Sequence, residues 1–120
     1  PNIVAVANIY GKTVFDADIA TSASAIVTNA ASSGKILKIN SLIIANIDGS
    51  SAADITATIK NAAGNSTSST IANTVSVPAD ATLVLISKDT SIYLEEDMSI
   101  HLAASAAGDL SGTCSYEEIS

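Results

Sequence analysis

Residues 35–61, KILKINSLIIANIDGSSAADITATIKN, hold the longest strand candidate in the chain, then an Asp-Gly break, then a clean alternation. In the second part Ile55, Ala57 and Ile59 fall on one side, and Asp54, Thr56, Thr58 and Lys60 on the other. A period of two is the mark of a half-buried strand. Asp48-Gly49 supplies turn geometry between the two runs. The stretch therefore reads as strand, turn, strand. The same grammar extends in both directions. Strand candidates follow at 2–10, 23–29, 35–47, 53–61, 70–77, 81–88, 90–95, 98–104 and 112–119. Ser-, Gly- and Asp-rich breaks separate them, including the polar loop AAGNSTSS at 62–69. Pro78 closes the strand before it, because proline cannot donate to a ladder. The one place for a helical turn is DADIATSA at 16–23. Short, evenly spaced strands predict an all-β fold. The expectation is one antiparallel β-sandwich domain over residues 1–120, jelly-roll-like or immunoglobulin-like in strand order. Residues 1–10 would serve as an N-terminal arm or edge strand.

Two runs carry apolar residues on both faces. In SLIIANI, Leu42 and Ile44 oppose Ile43 and Ile47; in TLVLIS, Val84 and Ile86 oppose Leu83 and Leu85. A two-layer sandwich buries one face of each sheet. The second face then needs cover, and large exposed apolar patches mark interaction sites. Leu42, Ile44, Val84 and Ile86 are accordingly the expected contact residues. Ile3, Val4 and Val6 join them from the alternating first run, which can add to a neighbour's sheet edge.

The core is built from small side chains. Phe15, Tyr10, Tyr93 and Tyr116 are the only aromatic residues, and most apolar positions are Ala, Ile, Val or Leu. Association of copies would add stability to such a chain. The formal charge is −7, with five lysines and no arginine. Nucleic-acid binding needs the opposite field and bidentate donors, and anionic membranes repel an acidic surface. The apolar runs are far shorter than a bilayer span. Neither nucleic acid nor membrane is an expected partner. No basic, apolar leader pattern opens the chain, and Pro1 is a residue that initiator-methionine removal commonly exposes. Synthesis in a cytosol is the expectation, and the Asn65-Ser66-Thr67 sequon then reads as loop polarity.

TSIYLEEDMSIHLAAS, residues 90–105, contains the sole histidine, the sole methionine and the densest acidic group. Ile92 and Leu94 share a face, as do Met98, Ile100 and Leu102, with Glu95, Glu96 and Asp97 between the two runs. That pattern predicts a hairpin with a solvated acidic turn. The acidic residues lack the Asp/Asn ladder and central Gly of a calcium loop. His101 has no further His or Cys for a metal site and no G-x-S-x-G elbow for a triad. Glu117 and Glu118 point to opposite faces of a strand and make no acid/base pair. Cys114 has no cationic neighbour in sequence to activate its thiol and reads as a small buried filler. The expectation is no enzyme, no cofactor and no metal.

The order of motifs in residues 35–120 resembles small virion structural proteins of tailed bacteriophages, of the cyanophage and marine-phage type. The similar elements are KINSLIIANIDGSSAADITATIKN (38–61), TVSVPADATLVLISKDTSIYLEEDMSIHLAAS (74–105) and CSYEEIS (114–120). Family members often carry a Gly-Asp turn after YLEE, whereas here Glu96-Asp97 runs into Met98. The resemblance implies a β-sandwich accessory of the particle, a capsid decoration or cement protein, or a neck or tail component. It implies a homo-oligomer, here expected to be a trimer, bound to the major capsid protein or to neck or tail proteins, and located in the virion. It carries over no catalytic residue. A carbohydrate-binding module used in host recognition is the competing expectation, with Tyr10, Tyr93 and Tyr116 as the available stacking surfaces.

Overall fold

The computed structural model describes residues 2–61 and 68–120. Residues 62–67 of the expected polar loop, with Asn65, lie outside the described residues. Among the described residues nine strands appear in order: β1 Ile9–Asp16, β2 Ser24–Thr28, β3 Ile36–Asn46, β4 Ala53–Lys60, β5 Ser68–Val77, β6 Thr82–Ile86, β7 Ile92–Leu94, β8 Ser99–Ala104 and β9 Leu110–Ile119. One sheet has the order β1-β9-β3-β6, with β7 also on β3; the other has the order β2-β8-β4-β5. Every pairing is antiparallel.

The pairings are nested. β4 pairs with β5, β3 outside them with β6 and β7, β2 with β8, and β1 with β9. Wrapping a long strand ribbon around a two-sheet core in this way is the jelly roll. β3 holds the roll together because ten of its 11 residues pair with β9 along one side, with a register shift at Asn40. Its other side is divided, Leu42–Ala45 against β6 and Leu37–Ile39 against β7. The one short 3-10 turn among the described residues, Lys88–Thr90, lies between β6 and β7.

The core between the sheets is aliphatic. Ile39, Leu42 and Ile44 meet Ile55, Ile100 and Leu102, all essentially without solvent contact. Gly112 marks the tightest approach: a methyl group there would sit 3.1 Å from Leu102 Cδ1 and 3.2 Å from Ile19 Cδ1. Two buried amides tie the strand ends. Asn29 donates to the Lys35 and Leu94 carbonyls, and Asn46 to the Ser51 and Val77 carbonyls. Leaving a buried carbonyl without its donor costs about 1–3 kcal/mol. Asn46→Ala is therefore expected to lower the unfolding free energy by at least that much, read from a urea titration.

Four expectations are corrected. The first strand is not 2–10 but Ile9–Asp16, because β1 runs beside β9 and β9 ends at Ile119. Before Ile9, only the Ala7 and Asn8 N–H groups find Ser120 O, and Ala5 N–H turns back to Asn2 O. Residues 16–23 form no helical turn. Asp16 Oδ1 instead caps Asp18 N–H, and Ile19 enters the core. Residues 90–105 are no hairpin: β7 joins β3 in one sheet, and β8 joins β2 and β4 in the other. The acidic turn thus crosses between layers, each strand showing its apolar face to the core from its own side. The fourth correction concerns the expected contact residues. Leu42, Ile44 and Ile86 are 0%, 0% and 1% exposed and have no surface to offer a partner. A bulge between Leu42 and Ile43 reverses the parity of β6. Ile86 faces inward, while Val84, two residues away, remains 57% exposed.

Candidate interaction surface

Strand alternation assigns the outer face of the five-stranded sheet. Leu110, Gly112 and Cys114 of β9 are buried inward, so Ser111, Thr113 and Ser115 face out. Register then sets a row across four strands: Phe15 beside Thr113, Thr113 beside Ile43, and Ile43 beside Val84. Phe15 is 74% exposed and Val84 57%, while Thr113 and Ile43 are half-buried. The flanking outward rows are Ser111, Ala45 and Thr82 on one side, and Thr13, Ser115 and Ser41 on the other. None of these ten residues is charged. Charge begins only in the next row, where Lys38 lies beside Glu117.

The rest of the surface is different. The outward side of β4 carries Asp54, Thr56, Thr58 and Lys60, with His101 of β8 opposite Thr58. The loops β1–β2, β3–β4, β5–β6 and β8–β9 meet at one end of the sandwich and bring Asp18, Asp48, Asp80 and Asp109 there without a lysine. Asp48 accepts from Ser50 N–H and Ser50 Oγ, both at 2.9 Å, and these bonds hold its carboxyl below the ordinary range. Negative charge of this density keeps that end in water and away from the same end of another copy.

At the opposite end Glu118 is 7% exposed and ion-paired with both Lys12 and Lys35. It ties edge strand β1 and the start of β3 to β9, and lines a cleft of about 160 Å³ with Asn29 and Tyr116. Hydrogen bonds from the two lysines hold the Glu118 carboxyl below its ordinary pKa. The unfolded chain then binds the proton more readily, so stability rises with pH through that window. The contribution is complete above the unfolded carboxyl's value, about 4.3, and is lost as pH falls through the lower folded value. Urea titrations between pH 6 and 3 are expected to show a steeper acid loss in the native chain than in Glu118→Gln.

The remaining candidates from the sequence sit apart. Ser99 Oγ lies 3.0 Å from His101 Nε2. The serine is only 3% exposed, so its hydroxyl has no open approach for a substrate. Burial, with Lys60 nearby, lowers the imidazole pKa. Cys114 is fully buried, and desolvation pushes its thiol up to about 12, which keeps it protonated. Glu95 and Glu96 border a polar cleft of about 350 Å³ with Lys35 and Ile36. Among the described residues no three His, Cys, Asp or Glu side chains converge as for a metal ion. Among the same residues no helix is long and apolar enough to cross a membrane. Of the residues expected at contacts, Ile3 is 52% and Val4 91% exposed, and Val6 is half-buried. These three precede β1, and only Val84 lies in the uncharged row. The sequence reading missed Phe15, Ile43 and Thr113. The signal for Phe15 was its being the sole phenylalanine.

No family model and no curated protein matches the chain. Among solved structures it is similar to a pentameric capsid protein isolated from metagenomic phage sequences, with 14% identity and a TM-score of 0.40. The alignment covers 88% of this chain and 59% of that one, so the chain spans less than two thirds of that protein's length.

Proposed function

We propose that the chain is a non-enzymatic structural component of a bacteriophage virion that acts as a homo-oligomer. The observation that carries this reading is the uncharged outward row Phe15–Thr113–Ile43–Val84 on a chain of formal charge −7. An open antiparallel sheet face ordinarily carries polar and charged side chains toward water. Here the neutral rows are small, so a second surface can approach at the usual sheet-packing distance of about 10 Å. Covering an exposed Val or Phe stabilises a contact by roughly 1.5–3 kcal/mol when burial is complete. Symmetry multiplies such contacts. The resemblance of residues 35–120 to small virion proteins of tailed phages supplies the setting.

Within that setting the role is decoration of the capsid. The neutral sheet face lies on sister copies, and the aspartate-rich end stays in water. A trimer at a threefold position suits this arrangement. The major capsid protein is then the underlying partner; a neck or tail protein would take its place if the copies ring the portal. A reconstruction of particles containing the chain tests the role. Density for the fold on the outer head lattice is the expected result. Density confined to the neck or tail moves the partner, and absence from the particle removes the reading. Tyr93, 42% exposed beside Lys38, is the residue a sugar-binding role would use. Glycan binding lost in Tyr93→Ala would favour that role instead.

A further inference from the structure

The sandwich has four sheet edges, and three of them are irregular. β2 is five residues long with a register shift between Ala25 and Val27. β5 is shifted at two places against β4. The β6–β7 edge is divided into five and three residues, and β6 is bulged. Short length, bulges and breaks are the devices by which natural sheets prevent edge-to-edge pairing. β1 has none of them. It pairs with β9 over eight residues in unbroken register, and among the described residues its other side has no strand partner. It also exposes Ile9 at 57%, Tyr10 at 55% and Phe15 at 74%. Its charges are Lys12, which Glu118 holds, and Asp16 at its last residue.

The segment leading into β1 has matching properties. Residues 2–8, NIVAVAN, carry no charge, alternate in bulk, and expose Ile3 and Val4. In the folded chain Ala5 N–H donates to Asn2 O and Val4 N–H to Asn2 Oδ1, while Ala7 and Asn8 N–H donate to Ser120 O and Asn8 O accepts from Ser120 N–H, so the segment's ties to β9 are confined to its last two residues. Seven extended residues span about 23 Å, close to the length of β1.

We propose, resting on the homo-oligomeric reading above, that residues 2–8 of one copy add as a strand to the free edge of β1 in a second copy. Backbone bonds supply the join, and no like charges oppose one another because the added segment is neutral. In an added strand one of Ile3 and Val4 would lie on the outward face beside the exposed side chains of β1 and extend the neutral sheet face, with the other on the opposite face.

The test uses the full chain with a photo-crosslinking benzoylphenylalanine in place of Val4, as a mixture of isotopically heavy and light copies. Heavy–light adducts on residues 9–16 are expected. The double substitution Ile3→Asp and Val4→Asp is expected to weaken self-association at least tenfold without moving the circular dichroism spectrum, since both side chains are solvent-exposed in the single chain. An oligomer that persists undiminished in the double variant, with adducts elsewhere, overturns strand addition and leaves the homo-oligomer in place. A native chain that is monomeric at every concentration overturns both.

Discussion

Leu42→Ala lowers the unfolding free energy of the isolated chain by about 2–5 kcal/mol, the range for a fully buried leucine truncated to alanine. Leu42 has no exposed surface and packs in the core from the central strand β3, with Ile86 and Cys114 as its cross-strand neighbours. A chain whose core is mostly aliphatic has few large side chains able to move into the space, which places the loss toward the upper part of the range. Single domains have about 5–15 kcal/mol in total, so the variant stands close to unfolding. Urea titration should show a lower midpoint with an unchanged slope. Val84→Ala, measured beside it, should move stability by no more than about 0.5 kcal/mol, as surface substitutions do. Equal effects at the two positions would contradict the inward and outward assignment made by the bulge in β6.

The second large effect is on association. Phe15→Asp combined with Val84→Asp puts a carboxylate at each end of the neutral row. Both side chains are exposed in the single chain, so folding should be nearly unaffected. In an assembly that covers the row, each carboxylate would be buried without a partner, and such burial is strongly unfavourable. A loss of about 3 kcal/mol, in the range of interface hot spots, corresponds to roughly a hundredfold weaker dissociation constant. Concentration-dependent light scattering reads it directly. Asp54→Ala on the other sheet is the control, expected to leave association unchanged.

Much of the fold was legible because strand alternation and turn residues are local signals. ADITATIKN declares its own inward face, and Asp48-Gly49 declares its own turn. Other features needed partners that no local pattern names. NIVAVANIY alternates better than IYGKTVFD, yet only the second lies beside β9 for its full length. Leu42 and Ile43 are equally apolar, so periodicity offers two faces without saying which meets the core. The extra residue at the β6 bulge then separates Val84 from Ile86, which strict alternation would keep together. IYLEEDMSIHL reads the same whether its strands pair with each other or pass into different sheets. The neutral surface was the least legible of all. Phe15, Ile43, Val84 and Thr113 are far apart in the chain and become neighbours only through cross-strand register. Asn29 and Asn46 likewise look like loop residues until the carbonyls they bridge are in place.

On the proposed homo-oligomeric role, the neutral outward sheet face is covered by other copies. Sedimentation equilibrium of the native chain over a wide concentration series tests it most directly. The expected mass is a multiple of the 12.0 kDa chain, falling toward the single chain on dilution and in the Phe15→Asp, Val84→Asp variant. One 12.0 kDa species at every concentration, identical in the native chain and the variant, would contradict it.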